Sequence, residues 1–497
     1  MSLGLFGLLI VWLVDGNPKA KIKAYWNNKT AVIISSIYLI TVLGLIHTSN
    51  FEFALDDLRR KLPIFFIPFY VAGFSPITTK ELQLLLKVFI GGVLIATLWS
   101  LFVYLGGLNE TIVDVRDYSR FNSHIRFGLE VALAIFICFH FAFNAGSLKQ
   151  KLAWASFSVW LIATLFLFSL FTGLIVFVAT ASVILVVFGA LSNNQKLKWT
   201  SILLASFISI GCIFYLVTTI NNFNKSITPK KIEAKLFSKA GNKYQIDSHT
   251  KNSTLRENGY HVEKHIAWRE FEAAWNTRSN ISFNDKDLKG QDLKSTLTRF
   301  ITSKGQRKDK ESIDMLSDYE VKAIERGVSN YLYLEMNPVT LKLHKILWEH
   351  NNSLNGGNIN GHSVLMRWEY WKTALSIIKK HLFFGVGTGD VQDAFDQHYK
   401  ESNSILTAQY RLRTHNQFLA FGVSFGLVGF CWFIGCLFYT ALLTINFKNY
   451  LYLAFFGIIT SSMFTEDTLE IQAGINLFAF FNTLLLLSTN TKTENIK

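Results

Sequence analysis

The chain has 497 residues, half of them hydrophobic, with 44 Phe, only 6 Pro and a formal charge of +14. Its apolar residues come in blocks close to the roughly 20 residues that a bilayer-spanning helix needs, which excludes an ordinary soluble enzyme. The blocks also remove nucleic acid as the reason for the charge, because the basic residues flank membrane helices or belong to a basic outer domain.

In chain order the blocks cover residues 3–14, 31–46, 62–74, 81–104, 127–145, 152–170, 173–191, 199–220, 417–445, 451–464 and 471–487. The expected fold is therefore all-α: a polytopic membrane protein of about 11 transmembrane helices with a large, mainly helical outer segment. The first block lacks a charged n-region and a small-residue cleavage site, so it reads as an anchor and not a signal peptide. It is short for a span, which leaves room for an upstream start. Cys138, Cys212, Cys431 and Cys436 all fall inside blocks, which excludes a disulfide framework or a zinc ribbon.

Short loops orient a membrane protein through their Lys and Arg. Placing Lys149, Lys151, Lys196 and Lys198 inside also places Lys19, Lys21, Lys23, Lys29, Lys448 and the tail from Lys492 inside. The N-terminus is then outside and the C-terminus inside. This gives an N-terminal transmembrane bundle over 1–220, an outer segment over 221–414 and C-terminal transmembrane helices over 415–497. Residues 51–61, 106–126 and 465–470 are outer loops, and Arg59, Arg60 and Lys61 violate the rule. Every arginine falls outside, while the short inner loops carry only lysine. Orientation does not explain that split, because both residues serve it equally. Arginine is the better fork for phosphate oxygens, so the set points to anionic ligands on the outer face.

The outer segment is too long for a simple connection. Its middle, 239–360, contains Asn351-Asn352-Ser353-Leu354-Asn355-Gly356-Gly357-Asn358, a loop-like stretch. Residues 314–333 and 338–350 have helical spacing, with Pro338 suited to a first turn. Residues 361–380 form an amphipathic helix with Leu365, Trp368, Trp371, Leu375 and Ile378 on one stripe.

Three motifs carry chemistry. The first is Arg367-Trp368-Glu369-Tyr370-Trp371, followed by Phe384-Gly385-Val386-Gly387-Thr388-Gly389-Asp390. Its glycines fit neither a dinucleotide fingerprint nor a P-loop. They mark either a tight turn at positive φ or a backbone nest for a phosphate or sugar. The second is Arg411-Leu412-Arg413-Thr414-His415-Asn416-Gln417 at the mouth of a span. Two nearby arginines would favour a neutral His415, as base or hydrogen-bond acceptor; a plain interfacial histidine is the alternative. Gly422, Gly426 and Gly429 follow at helical spacing, suited to close helix contact. The third is Arg120-Phe121-Asn122-Ser123-His124-Ile125-Arg126-Phe127-Gly128, in which Arg126 and Glu130 are spaced for an ion pair. Asp390, Asp393 and Asp396 share a helical face, read as solvated and not as a metal site.

The order Arg367, Trp371, Gly385-x-Gly-x-Gly-Asp and His415-Asn416 before a glycine-rich span resembles the O-antigen ligase and polymerase superfamily, which has a GT-C-like fold. Residues 123–127 and Ala54-Leu55-Asp56-Asp57-Leu58-Arg59-Arg60-Lys61-Leu62 fit the same group. The likeness spans nearly the whole membrane part but not the middle of the outer segment. Many members carry a Ser-Arg pair where this chain has Ser169-Leu170, so either Arg120 or Arg126 substitutes or the donor is held differently. The resemblance implies an enzyme of the bacterial inner membrane that moves a glycan from undecaprenyl pyrophosphate to a hydroxyl of a glycolipid, glycan or protein at the periplasmic face, with no cofactor and no metal. Arg367 with Arg411 or Arg413 would hold the pyrophosphate, and Arg126 or Arg120 would complete the clamp. His415 would orient or deprotonate the acceptor, which attacks with inversion, or would contact the phosphate instead. Asn416, His124, Gly387, Gly389 and Asp390 would support the site. The resemblance leaves ligase, polymerase and protein O-oligosaccharyltransferase open. A flippase or transporter is the rival outside enzymes; it wants matched halves and ionisable groups at mid-membrane, where only Lys87 and Glu130 qualify. A membrane sensor or scaffold would leave the Arg–His cluster unexplained.

Overall fold

The computed structural model describes residues 2–108, 112, 114–233, 235–245, 255–446 and 449–488. Lys448 and the tail from Lys492, used above for orientation, lie outside these. Helices α1 (Ser2–Val14), α2 (Pro18–Asn27), α3 (Lys29–Leu43), α4 (Phe51–Gly73) and α5 (Thr79–Tyr104) open the chain. Then come α6 (His124–Asn144), α7 (Leu148–Leu167), α8 (Phe171–Leu191) and α9 (Gln195–Ile227). Five shorter helices follow: α10 (Trp268–Arg278), α11 (Leu293–Ser303), α12 (Lys310–Asp314), α13 (Asp318–Glu325) and α14 (Pro338–Leu354). The chain ends with α15 (Ser363–Lys380), α16 (Val391–Glu401), α17 (Gln417–Asn446), α18 (Tyr450–Met463) and α19 (Gln472–Leu487).

Among the described residues, seven helices are long and apolar enough to cross a bilayer: α3 with its 3-10 extension to His47, α5, α6, α7, α8, α9 and α17. Helices α1, α18 and α19 are apolar but shorter. The remaining expected block is the second half of α4, whose first half is charged and which contains Pro63 and Pro68. The all-α polytopic architecture is therefore the one the hydropathy pattern anticipates.

The chain divides into two compact units, Met1–Leu108 with Ser119–Ser209 and Met366–Lys497, and Asn109–Tyr118 with Ile210–Leu365. Residues 366–414, grouped with the outer segment in the sequence reading, pack with the first unit. At its centre is α6, buried from Arg126 through Leu129 and again from Val131 through Cys138, and packed on α7, α8 and α18. Small residues let it approach α8: a Cβ on Gly173 would fall 2.5 Å from the Gly128 carbonyl oxygen. Close backbone approach of this kind replaces hydrophobic drive where the surroundings are lipid.

Helix α17 is broken. Gly426 sits at φ 60°, ψ −159° inside it, and the chain between α15 and α16 fills the gap. Leu427 N–H donates to the Leu382 carbonyl at 2.8 Å and Val428 N–H to Phe383 at 3.2 Å. In return, Val386 and Gly387 N–H donate to Val423 and Ser424, each at 2.9 Å. The interrupted helix thus recovers its backbone partners from the glycine turn, as buried or lipid-facing backbone must. Gly426 is accordingly a break and not part of a continuous small-residue stripe. The buried face of α15 also differs from the expected stripe: Met366, Tyr370, Thr373, Ala374 and Ile377 are inside, while Trp368 and Leu375 are 60% and 50% exposed.

The second unit has its own core of Phe271, Trp275, Leu293, Leu297, Phe300, Ile301, Ile313 and Ile324. A two-stranded ribbon, Arg256–Glu257 with Tyr260–His261, lies over it. Buried Glu257 is held by Arg299 at 2.6 Å and Asn330 at 2.8 Å. The expected helix over 314–333 is instead α13 and a 3-10 turn at Tyr331–Leu334, separated at Gly327 (φ 75°). Pro338 does open α14, capped by the Asn337 side chain, but α14 runs to Leu354 and takes in the start of the asparagine stretch.

A side chain at Gly426 would meet the Phe383 carbonyl at 2.4 Å in addition to its left-handed backbone. Gly426→Ala is expected to cost about 1–3 kcal/mol, seen as a lowered melting temperature of the purified protein in detergent. Gly435→Ala in the same helix, where a Cβ meets nothing within 4 Å, should leave that temperature unchanged or raise it.

Candidate active site

The residues that gather in the first unit come from α4, α6, α15, the turn before α17 and the loop between α18 and α19. Glu466 in that last loop is 5% exposed and is the common partner. Arg367 Nη2 donates to its Oε1 at 2.7 Å. Its Oε2 lies 3.8 Å from Arg126 Nη1 and 3.8 Å from His415 Nδ1. Three cationic or titratable groups, from positions 126, 367 and 415, thus lie within 4 Å of one carboxylate. Burial pushes the Glu466 carboxyl up, but His415, Arg367 and Arg126 outweigh it and hold the group below the usual glutamate range.

The cluster runs from buried to open. The Arg126 side chain is 6% exposed, Arg367 24% and His415 36%. Arg126 Nη2 is buried and has no hydrogen-bond partner among the described residues. The alternative ion pair with Glu130 does not form; Glu130 accepts from Asn122 Nδ2 at 2.7 Å.

His415 has φ 46°, an uncommon conformation for a non-glycine residue. Asp467 imposes it. Its Oδ2 accepts from His415 N–H at 3.2 Å, and its Oδ1 accepts from Asn416 N–H at 2.6 Å and Thr414 Oγ1 at 2.9 Å. From the other side, Trp371 Nε1 donates to the Thr414 carbonyl at 3.0 Å, and the Tyr370 ring lies 5.8 Å from the imidazole. Asn416 caps α17: its Oδ1 accepts from Leu419 N–H at 3.1 Å, and its Nδ2 donates to the Phe464 carbonyl at 3.0 Å. Both ends of its amide are used within the protein.

Beside this cluster is a narrow cleft lined by Asp57, Lys61, Thr388, Arg413, Asp467 and Glu470, among others. Lys61, 3% exposed, bridges Asp57 and Glu470 at 2.8 Å each. Gln417 closes the network, donating to Glu470 at 3.3 Å and accepting from Leu469 N–H at 2.5 Å. This pairing accounts for the charge that broke the orientation rule: Lys61 is neutralised by two carboxylates, and Arg59 and Arg60 pair with Asp56. Arg413 reaches this cleft, with its guanidinium over the Phe53 ring at 5.4 Å. Arg411 does not join the Glu466 cluster by any described contact; its Nε donates to the Leu406 carbonyl at 3.0 Å. Arg120 is exposed, and the His124 ring lies on the Phe168 carbonyl at 3.0 Å.

Gly387 and Gly389 serve the tight-turn alternative. Gly387 N–H is taken by Ser424 and Gly389 N–H by Thr48 Oγ1 at 3.1 Å. Asp390 is half-buried and its carboxylate is engaged by protein, while Asp393 on the same face is exposed. The Asp390 carboxylate accepts from Ser49 N–H at 2.8 Å and Asn50 N–H at 2.7 Å, at the start of α4 where a helix dipole favours negative charge. The turn therefore fixes α4, and α4 carries Asp57 and Lys61.

The acidic loop Glu466-Asp467-Thr468-Leu469-Glu470 is the part that sequence reasoning missed. Its signal was three carboxylates in five residues between two apolar spans, where short outer loops rarely need any. Among the described residues, no group of three or more His, Cys, Asp or Glu side chains is arranged to hold a metal ion.

Removing one partner of a buried ion cluster strands the others. Lys61→Met should therefore destabilise the protein by about 3–5 kcal/mol, measured by thermal unfolding in detergent. Arg59→Ala, in a pair 77% exposed on the arginine side, should cost under ~1 kcal/mol.

Residues 328–434 match the family model described as O-antigen ligase. No curated protein matches the chain.

Proposed function

From the premise that this multi-pass chain carries an O-antigen ligase domain, we propose that it transfers a glycan from an undecaprenyl-pyrophosphate donor to an acceptor hydroxyl at the periplasmic face of the inner membrane. The observation that carries this reading is the unpartnered, buried Nη2 of Arg126 beside Arg367 and His415. A guanidinium group out of water wants an anion. Here two of them face one place from different helices, which is the geometry for a pyrophosphate.

Breaking the bond between the anomeric carbon and the pyrophosphate oxygen leaves charge on the leaving group. Fixed cationic donors in a partly dry site stabilise that charge without reorganising. Arg126 and Arg367 take this role, and Arg413 in the adjoining cleft extends the positive field. No metal is needed for it. His415, the most exposed member, meets the acceptor, and attack from the face opposite the leaving group inverts the anomeric centre. The acceptor is a glycolipid, which makes the reaction a ligation. Deletion of the gene tests that point: free lipid-linked polymer supports it, and accumulation of single capped repeats overturns it in favour of polymerisation.

Purified protein assayed with lipid-linked donor in excess chelator is expected to be fully active. Arg367→Ala should lower kcat by about 10²–10³-fold, with a smaller change in donor KM. Arg367→Lys should restore only part of the rate, since a point charge does not reproduce a bidentate fork. His415→Ala should abolish transfer in a protein that still unfolds cooperatively. Unchanged kcat in both alanine variants would sink the reading.

The orientation follows from the lysines of the short loops. Single cysteines placed near Lys149 and near Asn280, in a background freed of the four native ones, should show opposite accessibility to an impermeant reagent. Equal labelling at both would reverse the assignment.

A further inference from the structure

We infer that Glu466 is the group that takes the proton from the acceptor hydroxyl, and that donor binding is what makes it available to do so. The inference rests on the transfer reaction proposed above and assigns a role to a residue outside the motifs that carry it.

Two arginines and an imidazole face Glu466 from α6, α15 and the turn before α17. Tyr370 packs beside the imidazole, and Asp467 and Glu470 on the same loop are turned to other partners, Thr414 with the two backbone N–H groups and Lys61. Glu466 is thus the anion that keeps the arginines from being buried without a partner while no donor is present. It occupies the place a phosphate oxygen would take.

A pyrophosphate that binds Arg126 and Arg367 must draw them away from Glu466. The carboxylate, 5% exposed with the arginines on it, then loses those two guanidinium groups and gains an anionic neighbour. Both changes disfavour its charged form. His415 still acts to hold the Glu466 carboxyl down, but the two guanidinium groups no longer do, while the burial that pushes it up remains. The carboxylate becomes a stronger base when the donor is in place. The proton that relieves it comes from the acceptor hydroxyl entering past half-exposed His415.

The step then balances. The acceptor O–H bond breaks and its proton goes to the Glu466 carboxylate. The oxygen forms the new bond to the anomeric carbon, and the bond from that carbon to the pyrophosphate oxygen breaks. Its electron pair leaves on undecaprenyl pyrophosphate, against Arg126 and Arg367. His415 positions the acceptor and afterwards offers the proton a route to water.

Glu466→Gln tests this, because a brace for the arginines and a base in competition with the donor predict opposite signs. The base predicts a kcat lower by about 10²-fold or more, with donor binding unchanged or tighter, since the competing carboxylate is gone. It also predicts that the wild-type decline of kcat at low pH is absent from the residual rate. Binding is read directly with lipid-linked donor on protein that elutes as a single species in detergent. Should Glu466→Gln fail to fold, Glu466→Asp keeps the test: its donor affinity should hold while kcat falls. Wild-type kcat in Glu466→Gln, or weakened donor binding with an unchanged low-pH decline, would overturn the inference. If Arg367→Ala and His415→Ala are also fully active, the transfer reading itself has failed; if they are inactive, only the role of Glu466 has.

Discussion

Everything around the site depends on one constraint: buried carboxylates must be met by cations or hydrogen-bond donors brought from elsewhere. The loop between α18 and α19 supplies three, and each selects a different partner set. Glu466 takes Arg126, Arg367 and His415; Asp467 takes the backbone of the turn before α17; Glu470 takes Lys61 and Gln417. A mismatch at any of these positions leaves a charge stranded in low dielectric, at a cost of several kcal/mol. The loop therefore acts as the assembly template for α4, α6, α15 and α17, and the same pairing that fixes the fold brings the candidate site residues together.

The spans were readable in the sequence because lipid imposes a length and a composition that no other environment does. Each of the eleven apolar blocks has a helix over it. The domain-scale grouping was less so, since residues 366–414 are polar enough to read as outer segment yet pack with the membrane unit through the glycine turn. The stripe on α15 slipped because Trp368 and Leu375 are apolar without being inside. Periodicity identifies an apolar face but not whether protein or lipid covers it.

For the site, the arginines and the histidine stood out by residue type and by their place at span mouths. Their partners did not. Glu466 is separated from Arg126 by 340 positions, and nothing in local spacing announces a pairing across that distance. The glycine turn offered two readings, a nest for a ligand or a turn against protein. The structure resolves it through hydrogen bonds: the Val386, Gly387 and Gly389 N–H groups are all spent on protein acceptors. What looked like ligand-binding backbone is the splice that lets α17 break at Gly426.

The position where the superfamily that the chain resembles often has an arginine follows from the same logic. Where a Ser-Arg pair would stand, Ser169 adopts φ 52° and Leu170 is 1% exposed, buried under the α6–α8 crossing at Gly128 and Gly173. A guanidinium group at residue 170 would be enclosed by apolar helix surface, with no carboxylate described beside it to offset its desolvation. Arg126, one turn into α6 on the neighbouring helix, reaches Glu466 instead. The requirement is for a cation at that carboxylate, and not for a cation at a fixed place in the chain. A close glycine crossing and an arginine on the opposite helix satisfy it together.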